Sequence, residues 1–128
     1  MRAAVFKILM LAFVPVLSAE EPSLSGEWTV DLSTDPAKPY TQPMSLRLLP
    51  DGALEGSFYQ STIEAGRWKQ DRGRVCASFR TSDGVGPYHT SVCLTGDTAT
   101  GQTWAEHRNF LFNWVATRKA SNARGTRN

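Results

Sequence analysis

The sequence predicts an all-β protein, built as an eight-stranded antiparallel up-and-down β-barrel with one disulfide. Three observations predict this fold. Apolar and polar residues alternate between Ser25 and Lys119, turn signals recur at roughly regular spacing, and two cysteines face each other across one hairpin. No stretch shows a sustained helical period. Closure into a barrel removes exposed sheet edges, whereas the alternative, a two-sheet sandwich, usually needs longer crossing connections.

The first three strands follow from alternation with a period of two. A proline-bearing loop at residues 34–39 separates the first two, and the strong turn signal at residues 50–52 separates the second from the third. The residues expected to share the inward face are Trp28, Val30 and Leu32, then Met44, Leu46 and Leu48, then Leu54, Gly56 and Phe58.

The fourth strand, from Thr62 to Gln70, has an ambiguous facing. Either Ile63 and Ala65 or Gly66 and Trp68 point inward, and a β-bulge would reconcile the two patterns. The fifth and sixth strands form the cysteine hairpin, and a turn at residues 107–109 separates the last two strands. The seventh strand runs through Thr100, Gln102 and Trp104, and the eighth places Phe110, Phe112, Trp114, Ala116 and Arg118 on one face.

The cysteine hairpin turns between Gly84 and Val85, which places Cys76 opposite Cys93 on neighbouring strands. The apolar pairs of this hairpin alternate with the cysteines, so they occupy the other face. Directly opposed Cα atoms are close enough for a disulfide. A metal site that uses these cysteines with His89 is the alternative, but disulfide sulfurs cannot act as thiolate ligands. We therefore predict a disulfide and no metal.

Residues 1–19 have the layout of a cleaved secretory signal peptide. Arg2 and Lys7 precede an apolar run at residues 8–16, which is too short to cross a bilayer of about 30 Å as a helix. We expect a β-barrel domain at residues 20–118 and a disordered basic tail at residues 119–128. The expected location is periplasmic or secreted, with no integral membrane segment after cleavage.

The charge of the expected mature domain argues against nucleic-acid binding. Without residues 1–19 the basic and acidic residues balance at twelve each. A nucleic-acid partner would need a concentrated positive surface, which this domain lacks. We therefore expect no nucleic-acid partner.

Gly26-Glu27-Trp28 and Arg118 resemble the lipocalin and avidin superfamily of calycin-like barrels. In that superfamily a Gly-x-Trp opens the first strand, and an Arg near the end of the last strand packs across the Trp. The resemblance implies that Trp28 and Arg118 close one end of the barrel. The segments 51–58, 100–104 and 113–118 are also avidin-like, and Thr95–Gly101 resembles a repeat of small exported bacterial proteins.

The sequence departs from the avidin pattern where biotin would bind. Phe58 stands at the position of the tyrosine on strand three, and Gln60 stands at a nearby serine position. The nearest residues to the Asn and Ser expected after strand one are Asp31 and Ser33. We therefore predict the barrel without biotin binding.

Aromatic residues are the candidate ligand-binding set at the open end of the barrel. Four tryptophans in so short a domain exceed what closing one end requires, and an indole combines a large apolar area with one donor. The alternative is that these rings simply fill the interior of a small barrel. The predicted ligand-binding residues are Trp68, Trp104, Trp114, Phe58 and Phe112.

The sequence contains no clear catalytic constellation. Ser78 and Ser91 have no His–Asp pair placed beside them, and the glycine-rich turns are hairpin ends that cannot form a phosphate loop. We expect a non-enzymatic, cofactor-free barrel that binds a small hydrophobic or aromatic ligand, or a protein, at its open end. The alternative is an envelope or secreted interaction module, such as a protease inhibitor, with a filled core and contacts through the loop at residues 34–41 or through the polar N-terminal segment.

Overall fold

The computed structural model describes residues 3–5 and 23–120. The predicted signal peptide lies almost entirely outside these ranges, as does most of the predicted basic tail. Within them, no helix is long and apolar enough to cross a membrane.

The strands form one closed antiparallel ring, which confirms the predicted barrel. The long strands pair in chain order, β3 pairs directly with β5 as well as with the short β4, and β1 pairs with β9, so the ring of long strands is closed. Eight long strands and one two-residue strand make up the ring: β1 Gly26–Asp31, β2 Thr41–Leu48, β3 Ala53–Phe58, β4 Ser61–Thr62, β5 Glu64–Asp71, β6 Arg74–Ser82, β7 Pro87–Thr95, β8 Thr98–Ala105 and β9 Phe110–Arg118.

The cysteine hairpin has the register that the sequence predicted. Cys76 on β6 pairs with Cys93 on β7, their Cα atoms are 4.1 Å apart, and a disulfide joins them. Ala77 pairs with Val92, and both are buried on the inner face, whereas the cysteines lie on the outer face. The alternation of side chains along a strand therefore separates the disulfide from the core.

The predicted bulge in the fourth strand is present at the start of β5. Ala65 has a φ of 51°, and the pairing of β5 with β6 shifts register between Glu64 and Arg67. The shift changes which residues point inward, so Ile63 is buried and Trp68 also packs against the core. Ile63 from the first predicted pattern and Trp68 from the second are therefore both inward, whereas Ala65 at the bulge is exposed.

One cluster of apolar side chains fills the interior from the closed end up to Phe58. Gly101 is required in this cluster, because a Cβ there would lie 2.3 Å from the ring of Trp114 on the neighbouring strand. The ring of Trp114 thus fills the space above the glycine. The buried apolar residues of this cluster are Leu24, Trp28, Val30, Met44, Leu46, Leu54, Phe58, Ile63, Ala77, Phe79, Val92, Ala99, Trp114 and Ala116.

One end of the barrel is closed by the segment that precedes β1. Leu24 is completely buried and acts as a plug, and its carbonyl accepts a 2.8 Å hydrogen bond from the Trp28 indole. Arg118 lies over the Trp28 ring, with the guanidinium carbon 4.2 Å from the ring centroid. The guanidinium also donates hydrogen bonds to the carbonyls of Ser25 and Ser23. The contact expected between Trp28 and Arg118 is therefore present, and it holds the plug in place.

Candidate binding site at the open end

A cavity of about 630 Å³ opens at the other end of the barrel. Four connections meet there, because alternate connections of an up-and-down barrel lie at the same end: residues 32–40, 59–60, 83–86 and 106–109. The volume lies within the range of about 300–1,000 Å³ that is typical of small-molecule sites. The lining residues are Leu32, Thr34, Lys38, Tyr40, Phe58, Tyr59, Ser61, Thr81, Ser82, Asp83, Tyr88, Thr103, Arg108, Phe110 and Phe112.

The floor of the cavity is well packed and largely apolar. Phe58 forms part of it, and its ring packs against Phe79 and Trp114, with centroids 6.1 and 5.4 Å away. Thr103 is also buried there, and its hydroxyl accepts a 3.0 Å hydrogen bond from the Trp114 indole and pairs with Thr90 at 2.9 Å. The polar groups beneath the floor are therefore satisfied within the protein, so the floor offers an apolar surface.

The walls of the cavity carry aromatic rings that remain partly exposed. Phe110 is 39% exposed, and its ring stacks on Phe112 with a centroid distance of 5.7 Å and an interplanar angle of 6°. Tyr88 meets Phe110 edge-on at 6.3 Å. Tyr40 and Tyr59 complete the aromatic surface and are 44% and 48% exposed. Aromatic area of this kind binds flat or apolar molecules well.

Tyr40 and Tyr59 are linked by a hydrogen bond between their phenol oxygens. Gln42 donates a further hydrogen bond of 3.0 Å to the Tyr40 oxygen. The bond to Tyr40 is the main reason why the pKa of Tyr59 is raised above its ordinary value, with desolvation as a smaller cause. The Tyr59 phenol therefore remains protonated at neutral pH.

Asp83 ties two of the connections at the open end together. Its Oδ1 accepts hydrogen bonds from the backbone N–H groups of Val85 and Gly86, and its Oδ2 accepts from Arg108 Nε at 2.8 Å. His107 Nε2 lies 3.1 Å from the same Oδ2. These contacts, led by the backbone bond from Gly86, hold the pKa of Asp83 far below its usual value. The carboxylate thus joins the β6–β7 turn to the β8–β9 turn.

The structure brings together only part of the predicted ligand-binding set. Phe58 and Phe112 line the cavity, and Trp114 supports the floor from below. The placement of Trp68 at the open end is wrong, because its indole donates a 2.8 Å hydrogen bond to Leu49 O in the β2–β3 connection at the closed end. The bulge lets Trp68 face inward, but Trp68 lies in the part of β5 that is close to the closed end of the barrel.

The placement of Trp104 beside the cavity is also wrong. Along β8 the buried residues are Ala99, Thr103 and Ala105, so the alternation turns Trp104 to the outer face, where it is 39% exposed. It pairs with Leu111, which is likewise exposed. The indole groups of Trp28, Trp68 and Trp114 each donate to a protein acceptor, so tryptophan donors do not orient a molecule in this cavity.

Sequence reasoning missed the residues that form the rim. Lys38, Tyr40, Tyr59, Asp83 and Arg108 lie in or next to connections, where periodicity gives no inward or outward assignment. The sequence did contain a signal for the rim. Alternate connections of an up-and-down barrel lie at the same end, and three of the four connections at this end carry aromatic or basic residues. The site could have been anticipated by collecting alternate turns rather than counting tryptophans.

Comparisons with protein-family models, with curated proteins and with solved structures found no match. The resemblance to lipocalin-like and avidin-like barrels therefore stays a prediction. Within residues 3–5 and 23–120, no group of three or more His, Cys, Asp or Glu side chains is arranged to hold a metal ion.

Proposed function

We propose that this protein is a non-enzymatic binding protein that takes up a small hydrophobic or aromatic molecule at the open end of the barrel. The observation that carries the proposal is the cavity of about 630 Å³, with its apolar floor and partly exposed aromatic walls. Exposed rings at the mouth of a preformed cup lose water when a flat apolar molecule enters, and each ring buried in this way favours binding.

The cavity favours this function over an interaction module with a filled core. Such a module would need no internal space, whereas here the side chains fill the barrel only up to Phe58 and Phe112. The Cys76–Cys93 disulfide supports an oxidising compartment, and we propose a periplasmic or secreted location on that basis.

Two neighbouring residues of β9 provide a matched test. Phe110 lines the cavity, whereas Leu111 points outward and is 57% exposed. Fatty acids, isoprenoids, heme, biotin and aromatic metabolites would be screened by intrinsic fluorescence, and hits would be titrated by calorimetry. We expect Phe110→Ala to weaken binding of a hit by about tenfold, which corresponds to the loss of one well-packed ring. Leu111→Ala should leave the affinity unchanged.

Two results would count against the proposal. One is a screen in which no compound gives a saturable signal. The other is a hit whose affinity responds equally to Phe110→Ala and Leu111→Ala, because such a compound would bind outside the cavity. Circular dichroism of both variants confirms that the fold is intact, and both side chains are exposed enough for this control to be met.

A further inference from the structure

The polar groups at the rim of the cavity are mostly hydrogen-bond donors. Lys38 lines the cavity, and its ammonium group has no hydrogen-bond or ion-pair partner among the described residues. Arg108 uses its Nε on Asp83 and also interacts with the side chain of Tyr88, so most of its five N–H donors stay unused within residues 23–120. Both cations therefore retain unused donors at the mouth of an apolar cup.

The tyrosine pair supplies one more donor. Tyr40 and Tyr59 have two phenolic protons, and the hydrogen bond between them uses one. Gln42 donates to the Tyr40 oxygen and so consumes no phenolic proton. Whichever tyrosine donates to the other, one O–H group remains at the cavity wall.

The one acidic residue in the lining cannot balance these donors. Both oxygens of Asp83 are already occupied, Oδ1 by two backbone N–H groups and Oδ2 by Arg108 and His107. With Lys38 and Arg108 positive and Asp83 negative, the lining carries a net charge of one positive unit. A single negative charge on a bound molecule would neutralise it.

We infer that the cup is built for an amphipathic carboxylic acid. The aromatic or alkyl body of the acid occupies the cup between Phe58, Phe110 and Phe112, and its carboxylate lies at the rim near Lys38 and Arg108. A carboxylate accepts several hydrogen bonds and matches the geometry of a guanidinium, so it suits a rim of donors. This inference rests on the proposed function, because it names the class of molecule for the same cavity.

A pair of compounds with the same ring system separates apolar binding in the cavity from recognition of a carboxylate at its rim. Naphthoate carries a carboxylate, whereas the corresponding naphthamide has the same ring system and no charge. Calorimetric titration of the full domain at neutral pH should show that naphthoate binds at least about tenfold more tightly than naphthamide. The advantage of naphthoate should shrink when sodium chloride is raised from about 0.05 to about 0.5 M, because the rim is solvent-accessible.

Matched lysine variants then assign the effect to the rim. Lys38→Gln should weaken naphthoate binding by about threefold, as expected for a partly exposed charge pair, and should leave naphthamide binding unchanged. Lys119→Gln is the control, because it removes the same charge at the closed end, where Lys119 directly follows β9. Arg108→Gln should lower naphthoate affinity as well, and Arg108→Lys should restore part of it.

Equal affinities of naphthoate and naphthamide would overturn the carboxylate inference and leave the apolar binding function standing. Equal effects of Lys38→Gln and Lys119→Gln would also overturn it, because the preference would then come from overall charge. Failure of both compounds and of the wider screen to bind would overturn the proposed function itself, and the inference with it.

Discussion

The two ends of this barrel use similar residues for opposite purposes. At the closed end the Trp28 ring is buried, its indole donates to Leu24 O, and Arg118 donates to backbone carbonyls while it covers the ring. At the open end the rings of Tyr40 and Phe110 remain partly exposed, and Arg108 uses only some of its five N–H donors on Asp83 and Tyr88.

The difference between the ends lies in whether the polar groups are satisfied. A buried donor without a partner is costly, and at the closed end the indoles of Trp28 and Trp68 and the guanidinium of Arg118 donate to backbone carbonyls, which contributes stability. The open end leaves donors and aromatic area in contact with solvent, which lowers what it contributes to stability and leaves surface available for binding. Substitutions should therefore divide cleanly into those that affect folding and those that affect binding.

The largest effect is expected at Trp28. Its ring is 1% exposed, and Trp28→Ala would leave a cavity beside Leu24 and release Arg118 from its stacking partner. We expect a loss of about 3–5 kcal/mol in the free energy of unfolding, measured by denaturant titration. Phe110→Ala at the open end is the matched comparison and should cost less than about 1 kcal/mol. Equal losses would contradict the division between the two ends.

Loss of the disulfide should have the second largest effect on the free energy of unfolding, and it should not affect ligand binding. Cys76 and Cys93 are 17 residues apart and lie towards the closed end on the outer face. Replacing both with serine should lower the free energy of unfolding by about 3 kcal/mol, mainly because the unfolded chain gains conformational entropy. Ligand affinity at the distant mouth should stay the same. Two free thiols in non-reducing mass spectrometry of the protein would refute the pairing.

Arg118 tests how firmly the plug is held. Arg118→Ala removes the stacked cation and the hydrogen bonds to the carbonyls of Ser23 and Ser25. Since the side chain is partly exposed, we expect a loss of about 1–2 kcal/mol in thermal or denaturant unfolding. Arg118→Lys keeps the charge and loses the planar guanidinium, so its free energy of unfolding should lie between those of the wild type and Arg118→Ala. An unchanged unfolding midpoint for Arg118→Ala would mean that Leu24 is held without it.

Asp83 should make the open end sensitive to acid. Its pKa is lower in the folded protein, so the stability it contributes is fully present above its unfolded pKa of about 3.9 and is lost as pH falls below that value. Asp83→Asn should be less stable than the wild type at neutral pH, by less than Trp28→Ala is. The difference between Asp83→Asn and the wild type should shrink below about pH 4. A pH-independent difference would show that the charge of Asp83 is not the cause.

The smallest effect is expected at Trp104, although the sequence suggested it as a ligand contact. It lies on the outer face of β8, so Trp104→Ala should change the free energy of unfolding by no more than about 0.5 kcal/mol. The affinity of Trp104→Ala for any compound that binds in the cavity should equal that of the wild type. A loss of affinity comparable to that of Phe110→Ala would place the site on the outer surface.

The sequence by itself determined the strands, the hairpin register and the closed end. These features depend on local alternation and on turns between neighbouring strands, so the pairing of Cys76 with Cys93 and the inward face of β9 could be derived from spacing. The contact of Trp28 with Arg118 was expected from a resemblance in short motifs at the two ends of the domain sequence.

Only the tertiary structure decided where the cavity lies and what surrounds it. Trp68 reaches the closed end because a bulge changes its facing after β5 has left the mouth, and Trp104 faces outward because Thr103 takes the inward position. The rim residues lie in connections, which carry no periodicity and meet only when the ring closes. A strand's alternation determines which side of the sheet a residue occupies, but the closed barrel determines which turns become neighbours.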